Sequence, residues 1–259
     1  MSTIFATIPE SFEGPAAQRQ RNAIRSWWLM RPQPRIIFLG IDDDSVVDFA
    51  RMNYIEAAGI ERSPEGIPLV NSALKTVTNM RDDCEDVVCF VNADGVYLDL
   101  NPALELVKRE FCEFLMIGRR WDIMFEDRVM DFRAGWEDRL RSYVLSHGSL
   151  HGKRAMDYLI FRGNFLHHDM PDFAVGRTAY DNWCVWKATQ EEIPIIDATC
   201  DVFLVHQDHP HTRAVKRRES VTQQNRELLW AVTDKPWGID DATHYLQCGR
   251  VKECGRKCF

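Results

Sequence analysis

The feature that most constrains this chain is the repeated return of short, wholly apolar runs that end in polar punctuation. Thr3 to Ile8 is stopped by Pro9, and Arg35 to Gly40 runs into Asp42-Asp43-Asp44. Val87 to Val91 is stopped by Asn92-Ala93-Asp94-Gly95, and Phe114 to Ile117 precedes Gly118-Arg119-Arg120-Trp121-Asp122. Runs without solvent-facing alternation read as strands buried on both faces. The segments between them carry helical spacing. Ala16 to Met30 sets Ile24, Trp27 and Trp28 opposite Gln18, Arg19, Arg21 and Arg25, and Ser45 to Ala58, Pro68 to Met80 and Pro102 to Phe111 follow suit. Strands alternating with helices predict an α/β fold, a mostly parallel central sheet flanked by helices. Ligands of such sheets bind beyond the carboxyl ends of the strands.

The second half predicts a helix over Trp136 to Ser146, a strand over Asp157 to Phe161 and an aromatic-rich helix over Ala179 to Ala188. Ile195 to Ala198 and Val202 to Val205 read as short strands, the latter leading into a loop from His206 to His211. A polar, basic stretch from Thr212 to Asn225, a weaker helix to Val232 and a cysteine-containing tail come last. The expected organisation is therefore a single domain over 1–214 with a short C-terminal appendage over 215–259.

Composition narrows the function classes. With 45% hydrophobic residues the chain can bury a full-sized core, and no apolar run reaches the roughly 18 residues of a membrane span. The N-terminus shows no basic region followed by an apolar stretch, so the expected location is the cytoplasm. A net charge of −7 speaks against gripping phosphate backbones as the main task, and the run Arg213, Lys216, Arg217, Arg218 reads as a solvated face. Of eight cysteines, Cys248, Cys254 and Cys258 cluster but lack a paired knuckle and a fourth ligand for zinc.

Three constellations can carry chemistry. Asn92-Ala93-Asp94 either caps its strand as an Asx turn or presents a carboxylate to Mg²⁺ or Mn²⁺, ions that bridge diphosphates. His206, Asp208, His209 and His211 either form a polar loop or supply imidazole to a metal. In Gly176-Arg177-Thr178-Ala179-Tyr180-Asp181-Asn182-Trp183, Thr178 can cap a helix with Asp181 in its first turn. Alternatively Asp181 is a partly desolvated base beside sugar-stacking rings of Tyr180 and Trp183. Arg119 and Arg120 can bind phosphate or pair with nearby aspartates such as Asp122. Asp157 can line the cleft or cap locally.

Taken in order, Thr7-Ile8-Pro9, Gln20-Arg21-Asn22, Phe90-Val91-Asn92-Ala93-Asp94, Gly118-Arg119-Arg120-Trp121-Asp122, Asp157-Tyr158, Gly176-Arg177 with Asp181-Asn182-Trp183, and His206-Gln207-Asp208-His209 carry a resemblance. The chain resembles nucleotide-sugar-dependent glycosyltransferases of the Rossmann-like GT-A fold, in particular single-domain microbial and viral members. The resemblance implies a nucleoside-diphosphate sugar such as a UDP-sugar as donor, and an acceptor hydroxyl on a glycan, a protein glycan or a modified DNA base. It matches Asn92-Ala93-Asp94 to the metal-binding DxD motif, with Asn in place of the first acid. Asp94 with His206 or His209 would then hold Mn²⁺ or Mg²⁺. Thr7, Pro9, Arg21, Asp42 and Asn92 would hold the nucleotide, and Arg119 and Arg120 the leaving diphosphate. Asp157, Tyr180 and Trp183 would face the acceptor, with Asp181 as general base of an inverting reaction. Sugar nucleotidyl transfer is the alternative, together with a non-catalytic nucleotide-binding module. A nucleotidyltransferase calls for a Gly-rich, basic loop after the first strand, and Pro9 to Pro15 carries no Lys or Arg.

Overall fold

The computed structural model describes residues 2–14, 16–125, 129–153, 156–208 and 215–255, with the backbone alone at 215–218. His209, His211, Arg213 and Cys258 lie outside the described residues, as do the side chains of Lys216, Arg217 and Arg218. The first half comprises β1 (Thr3–Thr7), α1 (Ala16–Leu29), β2 (Arg35–Leu39), α2 (Asp44–Met52), β3 (Glu56–Ala58), α3 (Val70–Asn79), β4 (Val87–Val91), β5 (Gly95–Leu98), α4 (Leu100–Glu110), β6 (Phe114–Ile117) and β7 (Arg120–Met124). The second comprises α5 (Trp136–His147), β8 (Ser149–Leu150), β9 (Tyr158–Arg162), α6 (Tyr180–Gln190), β10 (Ile195–Asp197), β11 (Phe203–Asp208), α7 (Val215–Trp230), β12 (His244–Leu246) and β13 (Val251–Glu253).

The larger sheet runs β13-β12-β10-β6-β9-β4-β1-β2-β3. Its strands are parallel except β9, inserted antiparallel between β4 and β6, and β13 at one edge. Alternation along each central strand sends side chains to two cores. Phe5, Val87, Cys89 and Phe114 pack under α1, α2, α4 and α5, while Ile4, Ala6, Val88 and Leu115 pack under α3, α6 and α7. Burial on both faces explains why these strands read as unbroken apolar runs. A smaller sheet, β5-β11-β7-β8, closes over the first core through Val96, Leu98, Ile123, Phe203 and Val205.

Several expected elements shift. The helix predicted over Ser45 to Ala58 stops at Met52, where Asn53 caps it and Tyr54 turns left-handed at φ 55°, and the rest becomes edge strand β3. The predicted loop beginning at His206 is instead the second half of β11, so His206 is a ladder residue paired with Asp122. The helix foreseen from Asn225 begins at Val215. Thr178 does not cap α6: that position falls to Ala179, at φ 94°, with no side-chain cap bond. The C-terminal segment adds β12 and β13 to the sheet edge and sends Leu229, Ile239 and Leu246 into the cores. Among the described residues no helix is long and apolar enough to cross a membrane.

One glycine beside the future site is fixed by packing. A Cβ on Gly118 would overlap the Tyr158 hydroxyl, and Tyr158 is fully buried and cannot swing aside. Gly118→Ala is expected to cost about 2–3 kcal/mol by overpacking, read as a lower urea midpoint with an unchanged slope.

Candidate active site

The chain passes from β1 to β2 and β3 on one side and then crosses back to β4 on the other side of β1, which opens a crevice at the carboxyl ends of these strands. Because β9 is antiparallel, its first residues reach the same edge. The crevice is a cleft of roughly 480 Å³ lined by Ile8, Pro9 and Glu10 after β1, Gly40 after β2, Asn92-Ala93-Asp94 after β4, and Asp157 to Leu159 at β9. Tyr180, His206, Arg19, Arg62 and Arg177 also line it.

Buried amides fix the backbone of Asn92-Ala93-Asp94. Gln207 donates to the carbonyls of Asp94 (2.8 Å) and Arg19 (2.9 Å), and its own oxygen accepts from the Asn22 amide at 2.8 Å. Asn22 accepts in turn from the Met130 N–H at 3.1 Å, and the Trp27 indole donates to the Gly95 carbonyl at 2.9 Å. Gln20 clamps the loop after β1, accepting from the Glu10 N–H (2.8 Å) and donating to the Glu10 carbonyl (3.0 Å). Truncating Gln207 to Ala strands three buried partners, so a loss of about 2–4 kcal/mol is expected, measurable by urea denaturation.

With its main chain held, Asp94 turns its carboxylate to His206, Oδ2 to Nε2 at 3.3 Å. Behind the ring, Asp122 lies 3.3 Å from His206 Nδ1 and also takes His151 Nδ1 at 2.6 Å and Arg120 Nε at 2.7 Å. Arg120 reaches on to Asp157. Burial opposes charge on His206, but Asp94 outweighs it and holds the imidazole above its ordinary pKa. Burial likewise works against ionised Asp122, yet His151 and Arg120 keep its pKa below the ordinary value. At Asp157 burial prevails over Arg120 and the pKa is raised.

A carboxylate oxygen and an imidazole nitrogen at this spacing, with a second carboxylate behind the ring, is a donor set suited to a divalent ion. Among the described residues no three His, Cys, Asp or Glu side chains form a complete cage. Among the described residues Asp94 and His206 are the pair placed to share such an ion.

The other residues singled out in the sequence fall in three places. Pro9, Asn92, Asp94, Asp157, Tyr180 and His206 line the cleft. Asp42 stands at its rim, holding the cleft-lining Arg62 (Nε to Oδ2, 2.6 Å), and Arg120 lies just behind Asp157. The rest turn elsewhere. Thr7 is fully buried at the end of β1, Arg21 donates to the Phe12 carbonyl at 3.2 Å over the Phe12 ring, and Arg119 donates to the His151 carbonyl at 2.6 Å. Trp183 is 1% exposed and packs on Phe173 and Trp186, so its ring cannot stack on a sugar; the helix turns that face to the sheet. Asp181 is not part of the lining, though its neighbours Tyr180 and Met156 are. Its carboxylate accepts from the N–H groups of Asn182 (3.0 Å) and Met156, and burial pushes it up to about 6. Arg19, Arg62, Arg177 and Gln20 went unrecognised as site residues. The polar face of α1 pointed to Arg19, whereas Arg62 follows an edge strand that carried no apolar signal.

No family model matches the chain, and no curated protein matches it in sequence. Solved structures do match it in fold. A mannosyltransferase from Pyrobaculum calidifontis, in complex with GDP-Man and Mn²⁺, aligns over 88% of this chain and 63% of its own at 14% identity, TM-score 0.50. A protein described as a nucleotide-diphospho-sugar transferase, from Desulfovibrio desulfuricans G20, aligns over 89% of this chain and 98% of its own at 12% identity, TM-score 0.47. The inositol-1-phosphate CTP transferase from T. maritima aligns over 88% and 97% at 11% identity, TM-score 0.44. The fold is the GT-A-like fold of nucleotide-diphospho-sugar transferases, in a single domain. The likeness to the mannosyltransferase, together with the strand order, carries that assignment.

Proposed function

We propose that this chain is a glycosyltransferase that moves a sugar from a nucleoside diphosphate to an acceptor hydroxyl. The observation that carries the reading is the cleft at the reversal of strand order, where Asp94 and His206 stand 3.3 Å apart with Asp122 behind the ring. Asp94 and His206 would hold Mn²⁺ or Mg²⁺, which when bound would neutralise charge on the diphosphate. Arg19, Arg62 and Arg177 line the same cleft and would add positive charge that favours departure of the leaving group.

In the transfer, the acceptor oxygen forms a bond to the anomeric carbon as the bond to the diphosphate breaks. The attack comes from the face opposite the diphosphate, which inverts the anomeric centre; the diphosphate leaves with the electron pair, and the acceptor proton passes to Asp181, between the cleft-lining Tyr180 and the Met156 N–H that it accepts from. A carboxyl raised to about 6 is still ionised at neutral pH yet more basic than an ordinary aspartate. Tyr180 and Asp157 form the sugar-facing wall beside it.

Nucleotidyl transfer fits less well, because the residues after β1 that line the cleft are Ile8, Pro9 and the acidic Glu10. Product analysis separates the two. Incubation with UDP- and GDP-hexoses plus Mn²⁺ is expected to release nucleoside diphosphate. Formation of nucleotide sugar and pyrophosphate from a nucleoside triphosphate and a sugar phosphate would overturn glycosyl transfer.

A further inference from the structure

Asp157 holds an unusual position. The register pairs Tyr158 with Val91, so the next step of the ladder sets Asp157 opposite Asn92, beside the strand-end motif. Its Oδ1 is held by Arg120, which is itself anchored by Asp122 at 2.7 Å. Its Oδ2 is buried and has no hydrogen-bond partner among the described residues, although the side chain, 7% exposed, lines the cleft. Buried polar atoms are almost always matched, and an ionised carboxylate oxygen is matched by a hydrogen-bond donor or a cation; among the described residues Asp157 does not join Asp94 and His206 in a metal-holding group of three, which leaves the donor. A second carboxylate or a phosphate is therefore the wrong partner here, and a neutral hydroxyl is the right one.

We propose that Asp157 Oδ2 accepts a hydrogen bond from a ring hydroxyl of the donor sugar and so helps select which sugar is transferred. The assignment to the donor follows from the position opposite Asn92, at the strand end that carries Asp94. It rests on the nucleotide-sugar reading above and deepens it, since one carboxylate clamped at a single oxygen becomes a specificity determinant.

Calorimetry on the wild type and Asp157→Asn, with UDP, GDP, UDP-glucose and GDP-mannose in the presence of Mn²⁺, tests this. For the nucleotide that binds, Asp157→Asn is expected to leave the free diphosphate within about twofold and to weaken its sugar conjugate about 10- to 100-fold, the loss of a charged hydrogen bond. The loss should vanish for the deoxy-sugar conjugate that lacks the contacted hydroxyl. If Asp157→Asn fails to fold because Arg120 is left unbalanced, Arg120→Met/Asp157→Ser removes both charges and the same diphosphate-to-conjugate ratio is read. Equal weakening of diphosphate and conjugate marks a structural role and overturns the proposal. So does an unchanged conjugate, whether or not the acceptor KM rises. A wild type that binds neither ligand overturns the nucleotide-sugar reading itself.

Discussion

Asp94→Ala is expected to lower Mn²⁺-dependent affinity for the nucleoside diphosphate by at least about 100-fold while leaving the fold nearly as stable. In the proposed site the carboxylate is one of two ligands among the described residues, so its removal would leave an imidazole to hold a hard divalent ion with the diphosphate. Asn92, standing where a second acid would be, supplies no charge in compensation. Stability changes little because the variant keeps the Asp94 carbonyl, which accepts from the buried Gln207 amide. The partner His206 loses its attractive neighbour but keeps Asp122. Binding is read by calorimetry with and without Mn²⁺, and stability by urea denaturation. A variant that loses stability in proportion to affinity would show that Asp94 acts as a turn cap.

Asp181→Asn should reduce turnover about 100- to 10,000-fold, the usual contribution of a positioned base, and it should do so in a chain that has become more stable at alkaline pH. Burial raises the Asp181 carboxyl from 3.8 to about 6, so the folded state binds this proton more tightly than the unfolded chain does. A raised carboxyl contributes stability that is fully present below about pH 4 and is lost as pH rises through about 6. About two units correspond to roughly 3 kcal/mol between these limits. Asparagine carries no charge to bury and can still accept the Asn182 N–H, so the variant is expected to exceed the wild type by roughly 1–3 kcal/mol at pH 8 and to match it near pH 4. Wild-type turnover should climb with pH through about 6. A variant that is less stable at pH 8 and only mildly slower would identify Asp181 as a helix cap.

The parts of this architecture that were legible in the sequence are those whose residues answer to one force. β1, β2, β4 and β6 are buried on both faces, so burial alone sets their composition. β7 was hidden because Arg120 and Asp122 are satisfied by Asp157, His151 and His206 across space, pairings that leave no period in the sequence. The same network explains why His206 looked like a loop residue: an imidazole tolerated in a buried strand needs carboxylates on both sides, and neither is nearby in the chain. Trp183 departs from its expected place for a complementary reason. An aromatic two residues after a candidate base resembles a sugar platform, but helix α6 turns it toward Phe173 and the sheet. Asp42 reaches the cleft through Arg62, a partner from a segment with no strand signal of its own.

The most direct test of a metal-assisted nucleotide-sugar site is calorimetric titration of the wild type with UDP and with GDP, each with and without Mn²⁺. Tight binding of one diphosphate that depends on Mn²⁺ and disappears in Asp94→Ala is the expected result. Binding that ignores both Mn²⁺ and Asp94, or no binding of either diphosphate, would contradict it.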